Sequence, residues 1–136
     1  MSLVLDTSVA VSWIFGDAAT TGGNALLDRV AESGAFAPRL LWYEFTNVIA
    51  GAAKRGRVSA ADAIDAFAFF GRLPVLFDDR GERVLQPLWF ALAQRHGLSA
   101  YDASYLELAL RLSLPLATRD KALAAAARAE GLTVWG

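Results

Sequence analysis

Short apolar runs alternating with helix-length amphipathic stretches predict an α/β fold, a three-layer α/β/α sandwich around a short, mainly parallel sheet. Three observations carry this. The apolar runs, such as 3–5 and 75–77, lack period-two alternation, as strands do when both faces are covered. One or two helical segments separate each run from the next, the spacing of parallel crossovers, which are right-handed. The chain has 136 residues and is 55% hydrophobic, enough to build one core, so a single domain over 1–136 is expected.

Leu3 to Leu5 read as a buried strand, and Ser8 to Phe15 as a helix broken at Gly16-Asp17. A second helix runs to about Glu32. Gly22 and Gly23 weaken its start, so its regular part is expected from Asn24. Ala35 to Ala37, before Pro38, is a short strand. Leu40 to Lys54 is a strong helix stopped by Gly56. Ser59, with Asp62 three residues on, caps a helix that runs to Gly71. Phe67, Phe69 and Phe70 cannot all share one side of it, so at least one faces outward. Val75 to Phe77 is a strand, followed by helices over Arg80 to His96, ending at Gly97, and Ser99 to Leu112. Leu114 to Ala117 and Thr133 to Trp135 are strands flanking an alanine-rich helix from Asp120 to Glu130.

Composition excludes several classes of function. There are no cysteines, so disulfides, thiolate metal sites and a cysteine nucleophile are excluded, and a reducing cytoplasm fits. A single histidine, His96, excludes a multi-histidine metal site within one chain; it reads as a helix-end residue rather than a base. Any metal must therefore be held by oxygen, which favours Mg²⁺ or Mn²⁺ over Zn²⁺. A net charge of −1 is not that of a protein binding nucleic acid through bulk electrostatics, so such a substrate needs a local basic rim. No signal peptide is expected, since Met1 and Ser2 lead straight into the first apolar run, and no apolar run reaches membrane-spanning length.

Four acids stand out: Asp6, Glu44, Asp102 and Asp120. Asp6 and Asp120 follow strands, where functional groups gather in a parallel sheet. Asp102 lies in the first turn of a helix. Each of these three also has an ordinary role at a helix start. Glu44 does not: the helical repeat places it with Leu40, Leu41, Asn47 and Val48, and a lone half-buried Glu is expensive. Converging carboxylates repel one another, and a divalent cation reverses that repulsion. Ser8, Thr118 and Asn47 can orient such carboxylates as a supporting shell, or can serve as caps and surface residues.

These stretches resemble PIN-domain nucleases, most closely the VapC-type toxins of bacterial toxin–antitoxin pairs. The matching segments are Leu3 to Ser8; Ala37-Pro38 through Leu41 to Phe45, with Asn47; Ser99 to Tyr105; and Pro115 to Leu123 with Gly131-Leu132. They cover essentially the whole chain in order. The resemblance implies a PIN fold and Mg²⁺- or Mn²⁺-dependent cleavage of RNA. It also implies a homodimer, a cognate VapB-type antitoxin, and Asp6, Glu44, Asp102 and Asp120 as catalytic and metal-holding residues, with Thr118 at a hydroxyl position common in the family.

The basic residues serve two readings. Lys54, Arg55 and Arg57 either complement a helix end or form part of an RNA-guiding rim. Arg119 and Lys121 flank Asp120 and are better placed to meet phosphate. Trp13, Trp42, Tyr43 and Trp89 read as core or interface more than as base-stacking platforms. The competing functions are a non-cleaving RNA- or partner-binding module and a DNA-directed nuclease of the same architecture. A phosphoaspartate receiver fits poorly, because Asp6 is followed by Thr7 and Ser8 rather than paired with another acid.

Overall fold

A computed structural model of the chain describes residues 2–15 and 21–136; the expected break at Gly16-Asp17 lies outside the described residues. The elements are β1 (Val4–Leu5), α1 (Thr7–Ser12), α2 (Thr21–Ser33), β2 (Ala35–Ala37), α3 (Leu40–Lys54) and α4 (Ala60–Arg72). They continue as β3 (Val75–Phe77), α5 (Glu82–His96), α6 (Ala100–Leu112), β4 (Leu116–Ala117), α7 (Lys121–Ala129) and β5 (Val134–Trp135). The five strands form one sheet in the order β3-β2-β1-β4-β5, every pair parallel.

The strand residues alternate between two cores. Leu3 and Leu5 of the first strand segment, with Ala35, Ala37 and Ala117, pack against apolar side chains of α1, α2, α3 and α4. Val4 and Leu116 pack on the other face against α5, α6 and α7. Both sheet faces are thus covered, which explains strands without a polar face. On α3 the buried residues are Leu41, Phe45, Ile49 and Ala52, a single stripe at helical spacing. On α6 every residue from Ala103 to Ala109 is buried, because the helix lies between α5 and α7.

Differences from the sequence reading are confined to element ends. β2 and β3 have the expected bounds, whereas β1, β4 and β5 are one or two residues shorter than their apolar runs, since only the residues named in their pairing reach a ladder partner. α1 covers 7–12 rather than 8–15, and α5 starts at Glu82 rather than Arg80. α2 begins at Thr21, so Gly22 and Gly23 lie inside the helix rather than before it. Phe70 is buried and Phe67 exposed, so at least one of the three phenylalanines reaches the surface as expected. Among the described residues no helix is long and apolar enough to cross a membrane.

Helix ends follow their sequence signals. Ser59 and Asp62 form both bonds of a capping box on α4. Gly97 ends α5 in the left-handed region at φ 65°. Ser113 does the same for α6 at φ 54°, without glycine's freedom. Ser113→Gly is therefore expected to stabilise the fold by about 0.5–1 kcal/mol, a rise in Tm of roughly 2–4 °C in thermal unfolding.

Candidate active site

The strand order reverses beside β1. From β1 the chain proceeds to β2 on one side, while β4 sits on the other. The carboxyl ends of β1 and β4 therefore border a switch point, where parallel sheets open a crevice. Asp6 directly follows β1, and its backbone N–H donates to the Ala117 carbonyl at 3.0 Å. Thr118, Arg119 and Asp120 directly follow β4.

Asp6 is only 5% exposed. It begins α1 without its side chain capping the helix, so the carboxylate is not consumed by the structural role its position suggests. Instead Oδ2 accepts from the Ser8 hydroxyl at 2.6 Å and the Thr118 hydroxyl at 2.7 Å. Burial pushes the Asp6 carboxyl above its ordinary range, the two hydroxyls pull it down, and the charge of Glu44 adds to the rise.

Glu44 projects from α3, half-buried. Its Oε1 accepts from the Tyr105 hydroxyl at 2.6 Å and from the Thr7 hydroxyl at 2.8 Å. Those two hydroxyls are themselves 2.7 Å apart. Burial first, and then the hydrogen bond to Glu44, hold the Tyr105 phenol well above its ordinary pKa, so it stays a protonated donor.

Asp102 lies in the first turn of α6, where its backbone N–H donates to the Ser99 hydroxyl at 3.1 Å. Ser59 and Asp62 make both bonds of their box; Ser99 and Asp102 make only this backbone half. Burial raises the Asp102 carboxyl to about 6, helped by the charges of Asp120, Asp6 and Glu44. Asp102 therefore senses the other three acids, and Asp6 senses Glu44, across elements far apart in sequence. Asp120 caps α7 through Oδ1, which accepts from the Leu123 N–H at 3.0 Å. One oxygen of a carboxylate suffices for a cap, so the ordinary role and a shared one are compatible.

Among the described residues no three His, Asp or Glu side chains stand close enough to enclose an ion as they are placed. The fit to a metal rests on donor chemistry. An all-oxygen, anionic set, in which burial and neighbouring acids raise the Asp6 and Asp102 carboxyls, suits a hard divalent cation, and the chain has no cysteine to offer a thiolate.

The other residues singled out in the sequence divide. Ser8 and Thr118 hold Asp6, and the Arg119 backbone N–H donates to Ser8 Oγ at 2.8 Å. Asn47 does not join them. It is exposed, and among the described residues no hydrogen bond links it to the acids. Arg119 and Lys121 are exposed beside Asp120. Lys54 and Arg55 are exposed at the far end of α3, ten residues or about 15 Å along the axis from Glu44.

Two residues escaped the sequence reading: Thr7, passed over as part of a motif, and Tyr105. The available signal was the spacing of Tyr105 three residues after Asp102, on the same side of α6. A pocket of ≈ 260 Å³ adjoins the site between α3, α5 and α6, lined by Leu40, Tyr43, Trp89 and Tyr101 but by none of the four carboxylates. Tyr43 is 73% exposed there, which argues against a core role.

Comparison with known proteins places this geometry. Residues 3–129 match the family model described as the PIN domain. The chain is 33% identical over 128 residues to Ribonuclease VapC1 of Mycobacterium tuberculosis, covering 90% of this chain and 89% of that protein. The fold superposes on PAE2754 from Pyrobaculum aerophilum with a TM-score of 0.71 at 24% identity, covering 98% and 92% of the two chains. It superposes on FitAcB from Neisseria gonorrhoeae with a TM-score of 0.59 at 21% identity, covering 100% and 97%.

Proposed function

The chain belongs to the PIN-domain family, among its VapC-type ribonucleases, and on that premise we propose that it is the metal-dependent endoribonuclease toxin of a toxin–antitoxin pair. The observation that supports the reading is the placement of Asp6 and Asp120 after β1 and β4 at the switch point, with Asp102 raised to about 6 by burial first and then by the charges of Asp120, Asp6 and Glu44.

Asp6 and Asp102 are the direct ligands in this reading, and Glu44 and Asp120 complete the set, directly or through water. Mg²⁺ or Mn²⁺ is the cation the donors suit. When bound, it lowers the pKa of a water and offsets charge building on the phosphate oxygens. The residues do the rest. Ser8 and Thr118 hold Asp6 in place, and Thr7 and Tyr105 hold Glu44. Arg119 and Lys121 lie where they can meet the phosphates flanking the scissile bond, while Lys54 and Arg55 are too far along α3 to do so. No side chain acts as a covalent nucleophile.

The name of the M. tuberculosis relative supports RNA as the substrate. A cognate VapB-type antitoxin and a second copy of the chain are the proposed partners, acting in the cytoplasm on one nuclease domain over 1–136. Exposed apolar side chains on α3, α4 and α5, among them Tyr43, Phe67 and Phe90, support such surfaces.

The test compares RNA and DNA of one sequence, incubated with the purified protein in Mn²⁺, Mg²⁺ or EDTA. RNA should be cut with either metal, spared in EDTA, and DNA left intact. Cleavage in EDTA would remove the metal from the mechanism, preferential DNA cleavage would reassign the substrate, and RNA binding without cleavage would make the protein a binding module.

A further inference from the structure

We propose that Tyr105, acting with Thr7, is a positioning residue that presents Glu44 to the cation. The inference rests on reading the four acids as a cation site and goes beyond it by naming what aims one of them.

Tyr105 is 0% exposed, in the core formed by α5, α6 and α7. Glu44 belongs to α3, on the opposite side of the sheet, and Thr7 opens α1 at the end of β1. The three side chains therefore meet across the sheet's carboxyl edge, and the contact spans 61 residues of sequence from Glu44 to Tyr105. Packing alone does not require the hydroxyl, since Phe would fill nearly the same volume. A buried phenol needs a polar partner, and this one takes an acid of the site.

A proton count shows what the contact does. The three oxygens are joined by three contacts of 2.6, 2.7 and 2.8 Å. With Glu44 ionised, only two hydroxyl protons are present, so two contacts are hydrogen bonds at any instant. Both hydroxyls donate to Oε1, or Thr7 donates to Tyr105 and Tyr105 to Oε1, or Tyr105 donates to Thr7 and Thr7 to Oε1. In each arrangement Oε1 accepts at least one hydrogen bond and Tyr105 is joined to it, directly or through Thr7. Oε1 is committed to the protein, and Oε2 is the oxygen left for a cation. Asp6 is built the same way, with Ser8 and Thr118 both on Oδ2. A flexible glutamate otherwise loses side-chain entropy on binding an ion; a prior bond removes part of that loss.

The experiment uses the full chain with Tyr105→Phe, Thr7→Val and Thr7→Ser. Mn²⁺ affinity is measured by electron paramagnetic resonance, kcat and KM on RNA by steady-state cleavage, and folding by Tm without metal. Tyr105→Phe should stay folded, bind Mn²⁺ about 10–100-fold more weakly, and lose kcat rather than KM, with part of the loss restored by excess Mn²⁺. Thr7→Val should follow it, and Thr7→Ser, which keeps the hydroxyl, should return to wild-type behaviour. Folded Tyr105→Phe with Mn²⁺ affinity within about twofold of wild type would overturn the inference alone. A wild type that binds no Mn²⁺ would instead overturn the site reading, and this inference with it. If Tyr105→Phe does not fold, the Thr7 pair decides: equal Mn²⁺ affinity for Ser and Val overturns the positioning role.

Discussion

Asp6→Asn is expected to reduce RNA cleavage by roughly 10²–10³-fold or more, the scale of losing a principal electrostatic group, while leaving the metal-free fold as stable as wild type or slightly more so. The two effects have one cause. Asp6 is buried, and burial and Glu44 both disfavour its charge. The side chain is held for function against that bias. Asn keeps an oxygen for the Ser8 and Thr118 hydroxyls but removes the charge. Without a cation the neutral side chain relieves repulsion with Glu44. With one, the site loses an anionic donor and cation affinity falls. Cleavage rates, Mn²⁺ titration and thermal unfolding on the same preparation check all three. Full metal-dependent activity in the variant would remove Asp6 from the site. A large drop in Tm would show that its main role is to support the end of β1.

Much of this arrangement is legible in the chain because its signals are local. Apolar runs bounded by Gly, Pro and Ser locate the strands, and the Ser59–Asp62 capping box appears in the structure as the spacing predicts. Asp6 and Asp120 are visible because they end apolar runs. Glu44 is visible because an acid interrupts an apolar helix face. What the sequence hides depends on long-range meetings. Tyr105 sits among Ala103, Leu106 and Leu108 and reads as core; only the fold shows its hydroxyl reaching an acid on the other side of the sheet. For Asn47, helical spacing places it near Glu44, but it is exposed and, among the described residues, no hydrogen bond links it to the acids. His96, read as a helix end, is one, yet it also contacts Glu130 at 2.6 Å, joining α5 to the end of α7.

The same limit governs the second large effect, Arg111→Met. Glu107 and Arg111 are four apart on α6, a pair visible in the sequence. Its third member, Asp78, lies 33 residues away, just past β3. Arg111 donates to Glu107 at 2.9 and 2.8 Å and to Asp78 at 3.1 and 2.6 Å, a fork filled on both sides. Glu107 is the most enclosed of the three, with 7% of its side chain exposed. Removing the guanidinium leaves a buried carboxylate unpaired, so a loss of about 3 kcal/mol is expected, the low end for broken buried pairs because Asp78 and Arg111 keep some solvent contact. That corresponds to a fall in Tm of roughly 10 °C. Adding Glu107→Gln should recover part of it by discharging the stranded acid.

Acid should reproduce the effect in the wild type. Burial pushes Asp78 up, but Arg111 and Arg80 together outweigh it and hold the carboxyl below its ordinary value of 3.8. The folded state therefore binds fewer protons than the unfolded chain near that pH. The stabilisation is present above pH 3.8 and is lost as the pH falls through the lower folded value. Arg111→Met should flatten this limb of the stability profile, and an unchanged limb would remove Asp78 from the network. Arg111 stands nine residues, about 13 Å of helix, from Asp102, so cleavage per folded molecule should persist at temperatures where the variant is native. Asp6→Asn and Arg111→Met thus have opposite signatures, activity lost at full stability against stability lost at full activity. If Arg111→Met also lost activity while folded, α6 would have to transmit its anchorage at Asp78 to Asp102 and Tyr105, and the boundary between the site and its frame would move inward along that helix.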